Sequence, residues 1–86
     1  MEVLTLSGKG KIMIRVLFRQ FLDEKSFREK RRITLAQVAD ESGIGRATIT
    51  RLANQPDYNT TLEVIDVLCK YFDCTPGELL QQVDNY

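Results

Sequence analysis

The sequence predicts an all-α fold, a compact five-helix domain with a short N-terminal β-strand or hairpin ahead of it. Three observations carry this reading. Thr-x-x-Glu/Gln boxes at Thr34–Gln37, Thr60–Glu63 and Thr75–Glu78 each precede an apolar run, and such a box satisfies orphan amides at a helix start. Apolar residues recur at three- and four-residue spacing in several stretches, the mark of amphipathic helices. The segments between them are only a few residues long, which suits close helix packing in a small chain.

Taken in order, Val3-Leu4-Thr5-Leu6, the SGKG stretch and Ile12-Met13-Ile14-Arg15-Val16 read as two alternating strands around a glycine-containing turn. Starting the domain at Met13 instead leaves residues 1–12 as a tail. The domain is therefore set at 13–86, with 1–12 as an N-terminal tail or short strand. Leu17, Phe18, Phe21 and Leu22 form the first helical stripe, expected to end near Lys25 or Ser26. Phe27 would fall off that stripe, so SFREKRR, Ser26 to Arg32, is expected to break into a basic loop or turn.

The second helix runs over Leu35–Ser42 and buries Leu35, Val38 and Ala39. Gly43 suits the left-handed residue that commonly ends a helix, with Ile44 as the apolar contact beyond the cap. Gly45 is a tolerated N-cap for a third helix at about 45–54. On a wheel with Arg46 at zero, Thr50 lies at ~40°, Asn54 at ~80°, Ala47 at ~100° and Arg51 at ~140°. Leu52, Ile49 and Ala53 cluster between ~240° and ~340°, with Thr48 at the boundary. One face is apolar and the other carries no acid. The strand propensity of Thr-Ile-Thr is expected to yield to burial of Ile49 and Leu52.

Asn54 to Asn59 is turn-rich. Leu62, Ile65, Leu68, Cys69 and Phe72 then form a fourth stripe, and Leu79, Leu80 and Val83 a fifth, shorter one opened by Thr75 and Pro76.

With 86 residues the chain is expected to form one small core with no separate sensing module. No apolar run approaches the ~20 residues of a membrane span and no secretory signal is visible, so a cytoplasmic location is expected. The zero net charge conceals a gradient: from Gly8 to Arg51 eleven Lys and Arg face five Asp and Glu, and from Leu52 onward one Lys faces six acids. A segregated positive face can steer toward phosphates even in a neutral molecule.

The acid-free face of the third helix has a chemical use. Arginine bonds bidentately to guanine edges or to phosphates, asparagine to adenine, and Thr or Ala can lie against a thymine methyl. Other chemistries find less support. Cys69 and Cys74 offer two thiolates where structural zinc takes four ligands, the chain has no histidine, and on one continuous helix the pair would stand ~140° apart. Core packing is their expected role and no metal or cofactor is expected. No nucleophile pairs with a base in a recognisable motif, and Gly43-x-Gly45 follows a helix and lacks the rest of a phosphate loop, so no enzyme is expected.

TLAQVADESGIGRATITRLAN, with Ala39, Gly43, Ile44, Ile49 and Leu52 at their present spacing, resembles the helix-turn-helix of Xre/Cro-type transcriptional regulators. LCKYFDCTPGELL resembles the end of that domain in a small Xre-like subfamily with a Cys-Thr-Pro-Gly-acid-Leu-Leu segment. The likeness spans roughly Ile14 to Val83. It implies a lambda-repressor-like domain whose third helix lies in the major groove. Carried over by position, Arg46, Ala47, Thr50 and Arg51 would face bases. Thr34, Gly45 and Thr48 would meet phosphate at helix starts or the groove wall, with Asn54, Arg31 and Arg32 as further backbone contacts. The chain departs from the family pattern at Gly45, where Ser or Thr is usual, and in the length of SFREKRR.

The expected partner is double-stranded DNA, bound by a homodimer because one short half-site gives a monomer little affinity or specificity. The competing reading is a protein-interaction or antitoxin-like adaptor module of the same helical fold, whose acidic C-terminal half and N-terminal strands would supply the partner surface.

Overall fold

A computed structural model describes residues 11–55 and 57–85. In chain order the elements are strand β1 (Lys11–Val16), helices α1 (Phe18–Glu29), α2 (Leu35–Ser42), α3 (Arg46–Asn54), α4 (Leu62–Phe72) and α5 (Pro76–Leu79), and strand β2 (Leu80–Asn85). Five helices surround one core, and the strands close the chain on itself.

The strand expected at Ile12–Val16 forms, but its partner comes from the far end of the chain. β1 and β2 are antiparallel, with Lys11 opposite Asn85, Met13 opposite Val83 and Val16 opposite Leu80. The strand expected at Val3–Leu6 lies outside the described residues. The fifth helix stops after four residues, and Leu80 turns extended at φ −105° and ψ 145°. Leu80 and Val83, read as helical, therefore sit in a strand. A single helical turn is marginal by itself, whereas the β1 ladder satisfies the backbone from Leu80 onward and the Leu17 amide donates to the Leu79 carbonyl at 2.8 Å.

Helix α1 also corrects the expectation of a break at Ser26. It continues to Glu29 and ends where Lys30 adopts a left-handed φ of 55°. Phe27 does fall off the stripe and stands 85% exposed. Leaving one phenyl in water forfeits its burial but breaks no backbone hydrogen bond, and the Lys25–Glu29 pair at 2.8 Å supports the added turn.

At α4 the cap is Thr61 rather than Thr60. The Val64 amide donates to Thr61 Oγ1 at 3.1 Å, which puts Glu63 one position too early to close a reciprocal box. It lies instead in the first turn, where a carboxylate favours the helix dipole. Leu62, the first residue of the helix, is 84% exposed, while Ile65, Leu68, Cys69 and Phe72 are buried. The other two boxes form as expected, at Thr34 with Gln37 and at Thr75 with Glu78.

The core takes Phe18 and Leu22 from α1, Val38 and Ala39 from α2, Ile49, Leu52 and Ala53 from α3, and the α4 stripe with Leu79. Phe18 and Phe72 meet edge to face, 5.7 Å between centroids and 73° between planes. Burying each such side chain contributes about 1.5–3 kcal/mol, which fixes the helices that carry the outer residues described next.

Candidate nucleic-acid interface

Local hydrogen bonds set the α2–α3 unit. Thr34 accepts from the Gln37 amide at 3.1 Å and Gln37 Oε1 accepts from the Thr34 amide at 2.8 Å, so both orphan donors are satisfied. Gly43 ends α2 at φ 82° and ψ 3°, with its amide donating to the Ala39 carbonyl. A Cβ there would meet nothing within 4 Å, so glycine is required by backbone conformation and not by space. Ile44 is buried beyond the cap, and its amide donates to Ser42 Oγ at 3.2 Å. Gly45 caps α3 from an extended conformation, φ −60° and ψ 147°, with open space where a side chain would stand.

Helix α3 divides as its sequence predicts. Ile49, Leu52 and Ala53 are buried and Thr48 is half-buried, while Arg46, Ala47, Thr50, Arg51 and Asn54 are exposed. The outer face holds two guanidinium groups, a hydroxyl, a carboxamide and a methyl. Among the described residues no ion pair engages Arg46, Arg51 or Arg32. The Arg51 guanidinium lies 5.8 Å from the centre of the Tyr58 ring in the α3–α4 loop, a loose cation–π contact that favours one direction for a long side chain.

A third arginine braces this helix. Arg19, on α1, donates from Nε to the Ala53 carbonyl at 2.9 Å and from Nη2 to Asn54 Oδ1 at 3.1 Å. It places a positive charge at the C-terminal end of α3, where the dipole favours it. It also orients the Asn54 amide, because Oδ1 is the accepting atom and Nδ2 keeps its two donors. Nothing in the local sequence announced Arg19, since its partners lie 34 and 35 residues away.

The residues before α2 behave differently from one another. Arg31 Nε bonds Glu29 at 2.8 Å, and Nη1 and Nη2 bond the two oxygens of Glu41 at 3.1 Å each. Tyr71 donates its hydroxyl to Glu41 Oε1 at 2.7 Å, and Lys25 donates to the Tyr71 carbonyl while its ammonium lies 4.6 Å from the Tyr71 ring centre. Hydrogen bonds from Arg31 and then Tyr71 hold the Glu41 carboxyl below its ordinary range, and those from Lys25 and Arg31 do the same for Glu29. Burial, followed by the Glu41 bond, pushes the Tyr71 phenol up. Arg31 is thus a brace between α1 and α2, and Arg32 is the uncommitted cation of the pair.

The structure brings Gly45, Arg46, Ala47, Thr48, Thr50, Arg51 and Asn54 together on α3 and its cap, with Thr34 at the start of α2. Cys69 and Cys74 belong to the α4 terminus, both as free thiols. Among the described residues no group of three or more His, Cys, Asp or Glu could hold a metal ion, and no helix is long and apolar enough to cross a membrane.

No curated protein sequence matches the chain. A crystal structure described as transcriptional regulator VanUg, Form II, is similar in fold with a TM-score of 0.61 and 18% identity, over 96% of this chain and 100% of that one. The family model for Cro/C1-type HTH DNA-binding domains matches residues 25–85, from the second half of α1 through β2. The chain with its glycine-jointed α2–α3 pair belongs to the Cro/C1-type helix-turn-helix DNA-binding domain family.

Proposed function

We propose that this protein is a sequence-specific transcriptional regulator, of the small Xre-like subfamily marked by its Cys-Thr-Pro-Gly-Glu-Leu-Leu segment, that inserts α3 into the DNA major groove. The observation that carries this is the outer face of α3: five exposed residues of DNA-reading chemistry, no acid, and a buried opposite side. Arg46, Ala47, Thr50 and Arg51 face base edges. Thr34, the Gly45 amide, Thr48, Arg32 and the Asn54 Nδ2 donors lie along phosphates, and Arg31 reaches one only by exchanging Glu41 for it. The DNA-binding domain is residues 13–86, with 1–12 ahead of it, and it works in the cytoplasm on double-stranded DNA as a homodimer. Regulation then follows occupancy, set by abundance or by a protein partner.

Selection of binding sites from a random duplex pool tests this reading directly. A recovered consensus, with apparent affinity falling steeply as salt rises, is the expected result. If no consensus emerges and affinity for selected and random duplexes is equal, the groove-reading assignment is wrong and the adaptor reading takes its place.

A further inference from the structure

Cys69 and Cys74 stand close in sequence, and α4 ends between them. Helix α4 closes at Phe72, Asp73 adopts a left-handed φ of 58°, and the Cys74 amide donates to the Cys69 carbonyl at 2.9 Å. This six-to-one bond across a left-handed residue is the Schellman cap, which frequently sets the side chains of the two joined residues against each other. Here both are cysteines. Each thiol influences the other's titration, both are free, and Cys69 is buried and Cys74 half-buried. The wide angular separation expected on an unbroken helix is removed by the cap, which folds Cys74 back onto the last turn.

We propose that Cys69 and Cys74 form a reversible intramolecular disulfide that staples the C-terminal cap of α4, with a low-molecular-weight disulfide as oxidant. The half-buried Cys74 thiolate attacks one sulfur of the small disulfide, making a mixed disulfide and expelling one small thiolate. Cys69, its proton lost to solvent, then attacks the Cys74 sulfur, closes the Cys69–Cys74 bond and expels the second small thiolate. Two protein thiols are oxidised and one small disulfide is reduced to two thiols. The pairing rests on cap geometry: the 2.9 Å bond from the Cys74 amide to the Cys69 carbonyl joins the two backbones directly, and a disulfide needs its Cα atoms ~4.4–6.8 Å apart. Burial, and next the neighbouring Cys69, push the Cys74 thiol up to about 11, and burial raises Cys69 as well. The reaction is therefore slow at neutral pH, and its rate rises about tenfold per pH unit on the alkaline side.

The test exposes the whole folded chain to oxidised glutathione at several alkaline pH values and reads intact mass under non-reducing conditions. Trypsin cleaves after Lys70, between the two cysteines, so the closed bond joins the peptide Leu52–Lys70 to the one that begins at Tyr71. The expected result is a monomer lighter by about 2 Da, linked peptides that separate on reduction, and no lasting glutathione adduct. Cys69→Ser should instead retain one glutathionyl group on Cys74, and Cys74→Ser should remain unmodified while folded. A stable adduct on the wild-type chain, a disulfide-linked dimer, or thiols that survive the treatment intact would each overturn the proposal.

Discussion

Arg31, at the junction of α1, α2 and α4, is exposed as are Arg46 and Arg51 on the outer face of α3, yet they differ in what they touch. At the junction Lys25, Glu29, Arg31, Glu41 and Tyr71 are joined to one another by ion pairs and hydrogen bonds. On α3, Arg46 and Arg51 make no ion pair among the described residues. The difference teaches that exposure alone does not mark a binding arginine. A guanidinium already bonded on three nitrogens holds two helices in register, while one without a partner keeps its donors for a ligand. Arg19 stands between the two cases, because it is bonded to α3 and so orients the residues that remain open.

Breaking one region should leave the other intact. The largest effect expected is on binding: Arg46→Ala with Arg51→Ala removes two bidentate donors, about 1–3 kcal/mol each, or roughly 30- to 10⁴-fold in affinity together. Fluorescence anisotropy with the selected duplex reads this loss, and an unchanged urea midpoint shows that the fold survives. Ile49→Ala attacks the other side of the same helix, which is fully buried. It should lower stability by about 2–5 kcal/mol in urea unfolding, and affinity should fall only with the folded fraction.

Gly43→Ala sharpens the view that the α2–α3 joint is set by backbone conformation. At φ 82° an alanine is strained by about 1–2 kcal/mol although its methyl has room. A neutral outcome would show that the turn relaxes into another conformation. The junction is probed by pH. Glu29 and Glu41 titrate below their ordinary range in the folded chain, so their contribution is complete above about pH 5 and is lost as pH falls through the depressed values. Tyr71 has the opposite wing: its raised phenol contribution is complete below about pH 10 and is lost as pH rises further. Glu41→Gln should flatten the acid limb of a Tm-against-pH curve and leave affinity for the selected duplex unchanged.

The smallest effect is a gain. Gly45 sits at an N-cap with extended backbone and open space, so Gly45→Ser should add a few tenths of a kcal/mol by giving α3 a side-chain acceptor. Thermal denaturation detects it, and a loss in Tm would mean that the hydroxyl cannot reach the first amides of the helix.

Much of the candidate site was legible because it depends on neighbours in sequence. The Thr34 box, the left-handed Gly43, the buried Ile44 and the two faces of α3 follow from capping chemistry and a period of about 3.6 residues. Arg19 and the Tyr71–Glu41 bond were not legible, since each joins residues 30 or more positions apart. At Thr60-Thr61 both residues can cap, and the local box with Glu63 pointed to Thr60 where the folded chain uses Thr61.

By itself the sequence determined an all-helical body, the place of the α2–α3 joint and the chemistry of the face that α3 shows. It could do so because caps, glycine conformations and amphipathic stripes act over four or five residues. Only the tertiary structure decided that the chain beyond Leu79 is a strand, that its partner is β1, that α1 runs on past Phe27, and that Arg31 is bound while Arg46 is open. Those outcomes depend on which distant backbone and which distant carboxylate arrive alongside. For Leu80–Asn85 the long-range β ladder with Lys11–Val16 outweighed a helical spacing that only one short turn supported.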